Sequence, residues 1–372
     1  MQNMEYKKHF ITLEEFKKVK KRDLSGPNGW LLFVACNSGI DFALSVKNKY
    51  EESLQENRSE LKTIPIMGTH EKPITTTFSD TETCPRLQGH VAGSNAYVFQ
   101  CIQENVSGNT VNENIQQMIQ VVRTLRAHGA ETITVITPYS PYSRQDKPTF
   151  MKREAALAAL FADQLKISGA DIYLTYHPHT LSLYGFYEPD IKFVALSGLD
   201  LFASIFKHFK GKENVIAVST DAGGAKFNVY FSNAMDIPYA IANKYRFGKD
   251  KSNLLGIIGD LENKNIAIIT DDETVTGSSI FYTIESLYTN YNIKESYAAV
   301  SHMKLKREYI PRFIEVHEKY GLKELHITDT IPQIPELEDL DFVVKHSLAG
   351  MFAATINRLH YNQSVTKVFS RS

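Results

Sequence analysis

The sequence predicts an α/β protein with two related units, each a mainly parallel sheet flanked by helices. Three observations carry that expectation. From about residue 30, short apolar runs recur at 31–35, 96–99, 132–137, 171–175, 215–219, 266–270, 296–300, 325–328 and 342–344. Runs this short and this uniformly apolar suit strands buried on both faces. Between them lie amphipathic segments such as 115–125, where Ile115, Met118, Ile119, Val122 and Leu125 share one helical face and Gly129 supplies a stop. Strand and helix patterns that alternate call for parallel strands joined by covering helices. A chain of 372 residues carries more of that alternation than one small sheet holds.

Composition narrows the function. Hydrophobic residues make up 43% and charged residues 22%, so the chain can bury a core and stay soluble. Forty-one basic residues against 42 acidic ones give no general pull toward nucleic acid or membrane, and any phosphate must be held by local sites. No apolar run is long enough for a bilayer, and the N-terminus lacks a signal-like apolar stretch. Cys36, Cys84 and Cys101 are odd in number and show no CxxC spacing, which points to free thiols in a reducing compartment. The expectation is a cytoplasmic protein. Residues 1–29 read as an N-terminal extension. Thr12 to Glu15 form a capping-box pattern, Phe16 and Val19 share a face, and Lys17, Lys18, Lys20, Lys21 and Arg22 cover the rest. That face is either solvated or a membrane-surface helix.

The stretch 265–279, NIAIITDDETVTGSS, organises the rest. An apolar strand runs into Asp271 and Asp272, then into Thr276, Gly277, Ser278 and Ser279, then into a helix marked by Ile280, Ile284 and Leu287. Ligands bind where such strands end, and a phosphate can sit on the backbone N–H groups at the helix start. Gly277 permits close backbone approach, the hydroxyls add donors, and the paired acids suit sugar hydroxyls or Mg²⁺. An ordinary acidic loop before a helix is the alternative.

Other segments carry chemistry with the same ambiguity. Residues 219–226 follow a strand; Gly223 and Gly224 free the backbone for a diphosphate and Asp221 can hold its cation, although a plain turn also uses glycines. Phe78 beside Asp80 and Glu82 suits a flat base bearing an amino group, or is a strand-end turn. Arg144 can grip a phosphate with paired hydrogen bonds or stack on a base, with Gln145 beside it; a surface ion pair is the other reading. His177 and His179 would suit a transition metal, but no third ligand is evident nearby, and a packed histidine pair is possible.

Taken in order, these segments resemble the ribose-phosphate diphosphokinase family, which makes phosphoribosyl diphosphate from ATP and ribose 5-phosphate. The segment 138–147, PYSPYSRQDK, is similar to the family's PYxPYxRQDR; 78–82 to its FSDGE; 219–226 to its SPDxGGxxR; and Lys244-Tyr245-Arg246 to its KxR. The 271–279 loop resembles the phosphoribosyl-diphosphate loop shared with phosphoribosyltransferases. The resemblance implies two phosphoribosyltransferase-like domains, 30–197 (with 362–372 packing back on it) and 198–361. It implies ATP at Phe78, Asp80, Glu82, Arg144, Gln145 and Asp146, and ribose 5-phosphate at Asp271, Asp272, Thr276, Gly277, Ser278 and Ser279. A diphosphate loop would comprise Asp221, Gly223, Gly224 and Lys226, with Mg²⁺ near His179 and Asp221. Lys244 and Arg246 would be the catalytic cations, on a loop that closes over the diphosphoryl group. The family further implies a homo-oligomer, a dimer at least and commonly a hexamer.

Departures from the pattern are specific. Val275 stands where the diphosphokinases usually carry Asp, His177 replaces an acid, and Phe227 replaces a basic residue. Ala92 stands at an arginine of the family's regulatory anion site, where Lys304 or Lys306 could substitute. A non-catalytic regulatory homologue and a phosphoribosyltransferase are the rival functions.

Overall fold

The computed structural model describes residues 24–57, 63–103, 109–246 and 252–368. Thr12, the basic face beyond it and Phe369 lie outside the described residues, as do the side chains of Lys244, Tyr245 and Arg246.

The first half of the chain builds one sheet. Its strands are β1 (Ser25–Gly26), β2 (Gly29–Ala35), β3 (Ile66–Met67), β6 (Ser94–Phe99), β7 (Thr132–Ile136), β8 (Ile172–Tyr176) and β9 (Lys192–Leu196); β4 (Thr75–Thr77) and β5 (Thr83–Pro85) form a separate hairpin. The order is β1-β2-β6-β7-β8-β9, with β3 also on β2, and only the two-residue β1 is antiparallel. The second half builds another: β10 (Val215–Ser219), β11 (Tyr239–Arg246), β12 (Ser252–Ile258), β13 (Ile266–Thr274), β14 (Glu295–Met303), β15 (Leu322–Thr328) and β16 (Val343–His346), in the order β12-β11-β10-β13-β14-β15-β16. Here only β12 is antiparallel. The α/β class and the mainly parallel sheets are as expected.

Successive strand residues point to opposite faces, so each apolar run feeds two cores. On the first sheet Leu32, Val34, Val98 and Val135 pack under the helices Val111–Ala127 and Leu157–Ser168. Leu31, Phe33, Tyr97 and Phe99 pack under Ile40–Glu56 and Ala349–His360. On the second sheet Ile216, Val218 and Ile269 meet Ser278–Asn290 and Ile310–Tyr320, while Ala217, Ile268 and Ala299 meet Leu199–Ile205 and Ala225–Met235. The helix Val111–Ala127 opens with a complete capping box, Thr110 Oγ1 accepting from Glu113 N and Glu113 reaching back to Thr110 N.

Two boundaries differ from the sequence reading. The helix Ala349–His360 belongs with the first sheet rather than with the 198–361 unit. Its Phe352 meets Phe42 edge-on at 5.1 Å and Asn357 Nδ2 donates to Tyr50 Oη at 2.8 Å. The apolar face Phe352, Ala353, Ile356 and Leu359 finds an uncovered sheet surface there. Strand β13 also runs on to Thr274, pairing Asp271 with Val300 and Glu273 with His302, so Asp271 and Asp272 sit at the end of a strand and not in the following loop.

Candidate active site

Parallel strands send all their carboxyl ends one way, and the two sheets meet where those ends face each other. The ends of β7 and β8 bring Tyr139, Arg144, His177 and His179; the ends of β10, β13 and β14 bring Thr220, Asp271, Asp272, Glu273, Ser301, His302 and Lys304. Cross-sheet contacts hold the seam. His179 Nδ1 lies 2.6 Å from Asp272 Oδ2, His177 Nδ1 2.6 Å from Ser301 Oγ, and His302 Nε2 3.0 Å from the His177 carbonyl. Arg144 Nε stands 3.1 Å from Glu273 Oε1, and Lys304 Nζ 2.9 Å from Glu273 Oε2. His177 turns with φ +39, a left-handed conformation rare for a side-chain-bearing residue, and that turn separates the directions of His177 and His179.

The two aspartates are pushed in opposite directions. Burial, with the negative charges of Asp272 and Asp221, drives the Asp271 carboxyl well above its ordinary range; the hydrogen bond from Thr220 Oγ1 at 2.9 Å only moderates this. Burial pushes Asp272 up as well, but the hydrogen bond and charge of His179, helped by His177 and Asp271, outweigh it and hold Asp272 low. The same bond raises His179. Burial pulls His177 down to about 4, so it stays neutral in the seam.

The remaining predicted residues can be placed individually. Thr276 and Ser278 share a hydroxyl contact of 2.7 Å at the start of Ser278–Asn290, with Ser279 in the first turn. Gly277 has φ +74, and a Cβ there would lie 2.5 Å from the Phe281 ring and 2.7 Å from Phe313. The glycine is thus required by its turn and by two rings behind it, beyond any approach of a phosphate. Asp221 Oδ1 accepts from Gly223 N at 2.9 Å and Gly224 N at 3.2 Å, so this carboxylate caps its own loop, and Lys226 is exposed at the helix start behind it. Phe78, Asp80 and Glu82 are exposed at the tip of the β4–β5 hairpin, where Phe78 N donates to Glu82 O and Glu82 N to Asp80 Oδ1. Gln145 lines a cleft of 440 Å³ with Arg144, Lys147, Thr149 and Glu154; Asp146 lies beside it, 3.5 Å from Lys147 Nζ. Lys244 and Arg246 occupy the end of β11, opposite Leu254 and Ser252 of β12, beyond a register shift at Asn243. Lys304 is held by Glu273 and is not available to the region of Ala92.

Sequence reasoning missed Glu273 and His302, gave Tyr139 no role within the 138–147 segment, and offered Lys304 only to the region of Ala92. A buried glutamate and a buried lysine leave no periodic trace in a sequence, and only the fold brings them together. Two noted departures turn out to be neighbours: the rings of His177 and Phe227 lie 4.4 Å apart, tilted by 36°. Where the resemblance expects an acid and a base, this chain has two aromatic rings in contact.

For a divalent cation, the donor chemistry fits. Asp272 and Asp221 are both close enough to Asp271 for their charges to act on its carboxyl, and hard cations prefer carboxylate oxygen. Among the described residues no group of three or more His, Cys, Asp or Glu side chains forms a ready metal cage, so any cation here would share its ligands with substrate or water.

Comparison with known proteins bears on the family and the fold. Residues 42–169 match the family profile described as the N-terminal domain of ribose phosphate pyrophosphokinase. The chain is 33% identical over 295 residues to a ribose-phosphate pyrophosphokinase of Fusobacterium nucleatum, covering 79% of this chain and 88% of that one. It is 31% identical over 294 residues to that of Caldanaerobacter subterraneus, with the same shares covered. A phosphoribosylpyrophosphate synthetase structure from Mycobacterium smegmatis superposes with a TM-score of 0.72 at 23% identity, covering 89% of this chain and 99% of that one, and shows the same fold.

Proposed function

Because the chain belongs to the ribose-phosphate pyrophosphokinase family and is a transferase, we propose that it moves the diphosphoryl group of ATP onto the 1-hydroxyl of ribose 5-phosphate, releasing AMP and phosphoribosyl diphosphate. The observation that carries this reading is the seam itself. Asp272 and Glu273, on the strand that leads to the helix start at Ser278, reach across to His179 and to Arg144 of the other sheet, and Arg144 lines a cleft there.

In this reading the backbone at Ser278 and Ser279 takes the 5-phosphate, and Thr276 adds its hydroxyl. Asp271 and Asp272 orient the ribose hydroxyls. Arg144 and Gln145 hold the nucleotide phosphates, and Phe78, Asp80 and Glu82 take the base; Phe78, 43% exposed on a projecting turn, suits a base bound to a neighbouring copy. Gly223, Gly224 and Lys226 cradle the diphosphate. Lys244 and Arg246 meet the charge that develops on the transferred oxygens. Mg²⁺, held by Asp221 and Asp271 with His179 close by, would supply charge neutralisation on the diphosphoryl oxygens. The protein's part is to orient two substrates and keep water out. The reading extends to a homo-oligomer in the cytoplasm. No helix among the described residues is long and apolar enough to cross a membrane.

The test is direct: ATP, Mg²⁺ and ribose 5-phosphate should yield AMP and phosphoribosyl diphosphate in equal amounts. AMP without the sugar product would mean hydrolysis, and no AMP would end the reading. Asp271→Asn should then raise the KM for ribose 5-phosphate more than that for ATP. The reverse order would show the substrates exchanged between the two sheets.

A further inference from the structure

Glu273, one residue before the end of β13, has its side chain 3% exposed, and Lys304, just past β14, is 8% exposed. The hydrogen bond from Lys304 N to Thr274 O, 2.8 Å, fixes the lysine beside the glutamate. Lys304 Nζ donates to Glu273 Oε2 at 2.9 Å and to Tyr139 Oη at 3.1 Å, and stands 4.5 Å over the Tyr139 ring. Glu273 Oε1 is buried and receives no aligned hydrogen bond; the charge nearest to it is Arg144 Nε, 3.1 Å away on the other sheet.

A buried ion pair is a poor device for stability, because two apolar side chains of like volume generally serve as well or better. What an apolar pair lacks is a fixed negative charge to offer a third residue. Arg144 is the residue in place to use it. Its side chain is 51% exposed at the 440 Å³ cleft, and a long side chain that free would otherwise spread over many rotamers. A carboxylate at Nε restrains the guanidinium while leaving both terminal nitrogens for a ligand, and that end of the fork matches phosphate oxygens.

We propose that Glu273, held by Lys304, is a positioning residue that aims Arg144 into the nucleotide cleft from the opposite sheet. This rests on the assignment of Arg144 to ATP made above. It adds that the strand bearing Asp271 and Asp272 for the sugar also sets the arginine for the nucleotide. Glu273 touches neither substrate.

Two variants test this in the full-length chain. Glu273→Gln keeps the shape and a hydrogen bond to Lys304 but drops the charge; Glu273→Met with Lys304→Met removes both charges and leaves neither orphaned. ATP affinity is read by calorimetry with Mg²⁺ present, and ribose 5-phosphate affinity alongside it. The double variant should melt near the parent and Glu273→Gln below it, because the amide leaves the buried Lys304 charge unpaired; both should weaken ATP roughly tenfold, the scale of coupling between touching residues, and leave ribose 5-phosphate unchanged. Glu273→Gln should add nothing in an Arg144→Ala background. Parent-like ATP affinity in both variants, an undiminished loss on top of Arg144→Ala, or equal weakening of both substrates overturns the positioning role. Parent-like ATP affinity in Arg144→Ala itself would instead overturn the assignment of Arg144 to the nucleotide, and the inference with it.

Discussion

The two sheets are built alike and finished differently. Each is parallel apart from one edge strand, and each is covered by helices on both faces. At their carboxyl ends the first contributes Arg144, His177 and His179, whereas the second contributes Asp271, Asp272 and Glu273 in unbroken succession. Three adjacent carboxylates on one strand end would repel one another in isolation. Each instead finds a different neighbour: Thr220 for Asp271, His179 for Asp272, Lys304 and Arg144 for Glu273. Asp271, paired with a neutral hydroxyl, is driven up, and Asp272, paired with a histidine, is held down. The fold is common to both halves, and the chemistry lies in how their ends complement each other.

The largest effect should come where this division of charge breaks down, since β11 puts Lys244 and Arg246 on the acid-bearing sheet. Lys244→Ala and Arg246→Ala should each fold and lose roughly 100- to 1000-fold in kcat, the scale of one lost preorganised donor. Near-parent turnover in both would remove them from the transition state.

Acid should act next. His360, buried on the first sheet between Asn95 and the Leu24 carbonyl, is pulled down to about 4 by burial. Its unfolded value is near 6.5, so the unfolded chain binds the extra proton between those limits. The native state is fully favoured above pH 6.5 and loses up to about 3 kcal/mol as pH falls toward 4. Urea unfolding at pH 7.5 and 4.5 should show the loss, and His360→Gln should flatten part of it. A parent slope unchanged by that substitution would place the acid sensitivity elsewhere.

A smaller effect would sharpen the seam. If His177 and Phe227 replaced an acid–base pair jointly, His177→Asp and Phe227→Arg should each destabilise, and the double variant should recover about 1 kcal/mol relative to their sum. Strict additivity in thermal or urea unfolding would mean the two changes are independent.

Much of this molecule could be read in advance because its inner strands are uniformly apolar. Residues 31–35 and 215–219 have no polar face to disguise them, being covered on both sides. Two outer strands were harder. Lys192–Leu196 is short and opens on an exposed lysine, and β11 trades apolar residues for Asn243, Lys244 and Arg246 as it pairs with the antiparallel β12. The acids of β13 looked like a loop because carboxylates are poor strand formers. They stay extended because partners beyond the ends of other strands satisfy them, and those partners are 31 to 129 residues away in sequence. Motif spacing could find Asp271 and Arg144 separately; it had no means to find Glu273 between them.

The helix Ala349–His360 also has a consequence for how the chain is made. It returns to cover Leu31, Phe33 and Phe99, so the first sheet is sealed by residues that leave the ribosome after the whole of the second sheet. At about 5–20 residues per second, the early half waits several seconds or more with one apolar face open. A chain cut off after residue 346 would therefore carry every strand of the second sheet and leave the first one exposed, inverting the usual order in which the part synthesised first is the part that is safe.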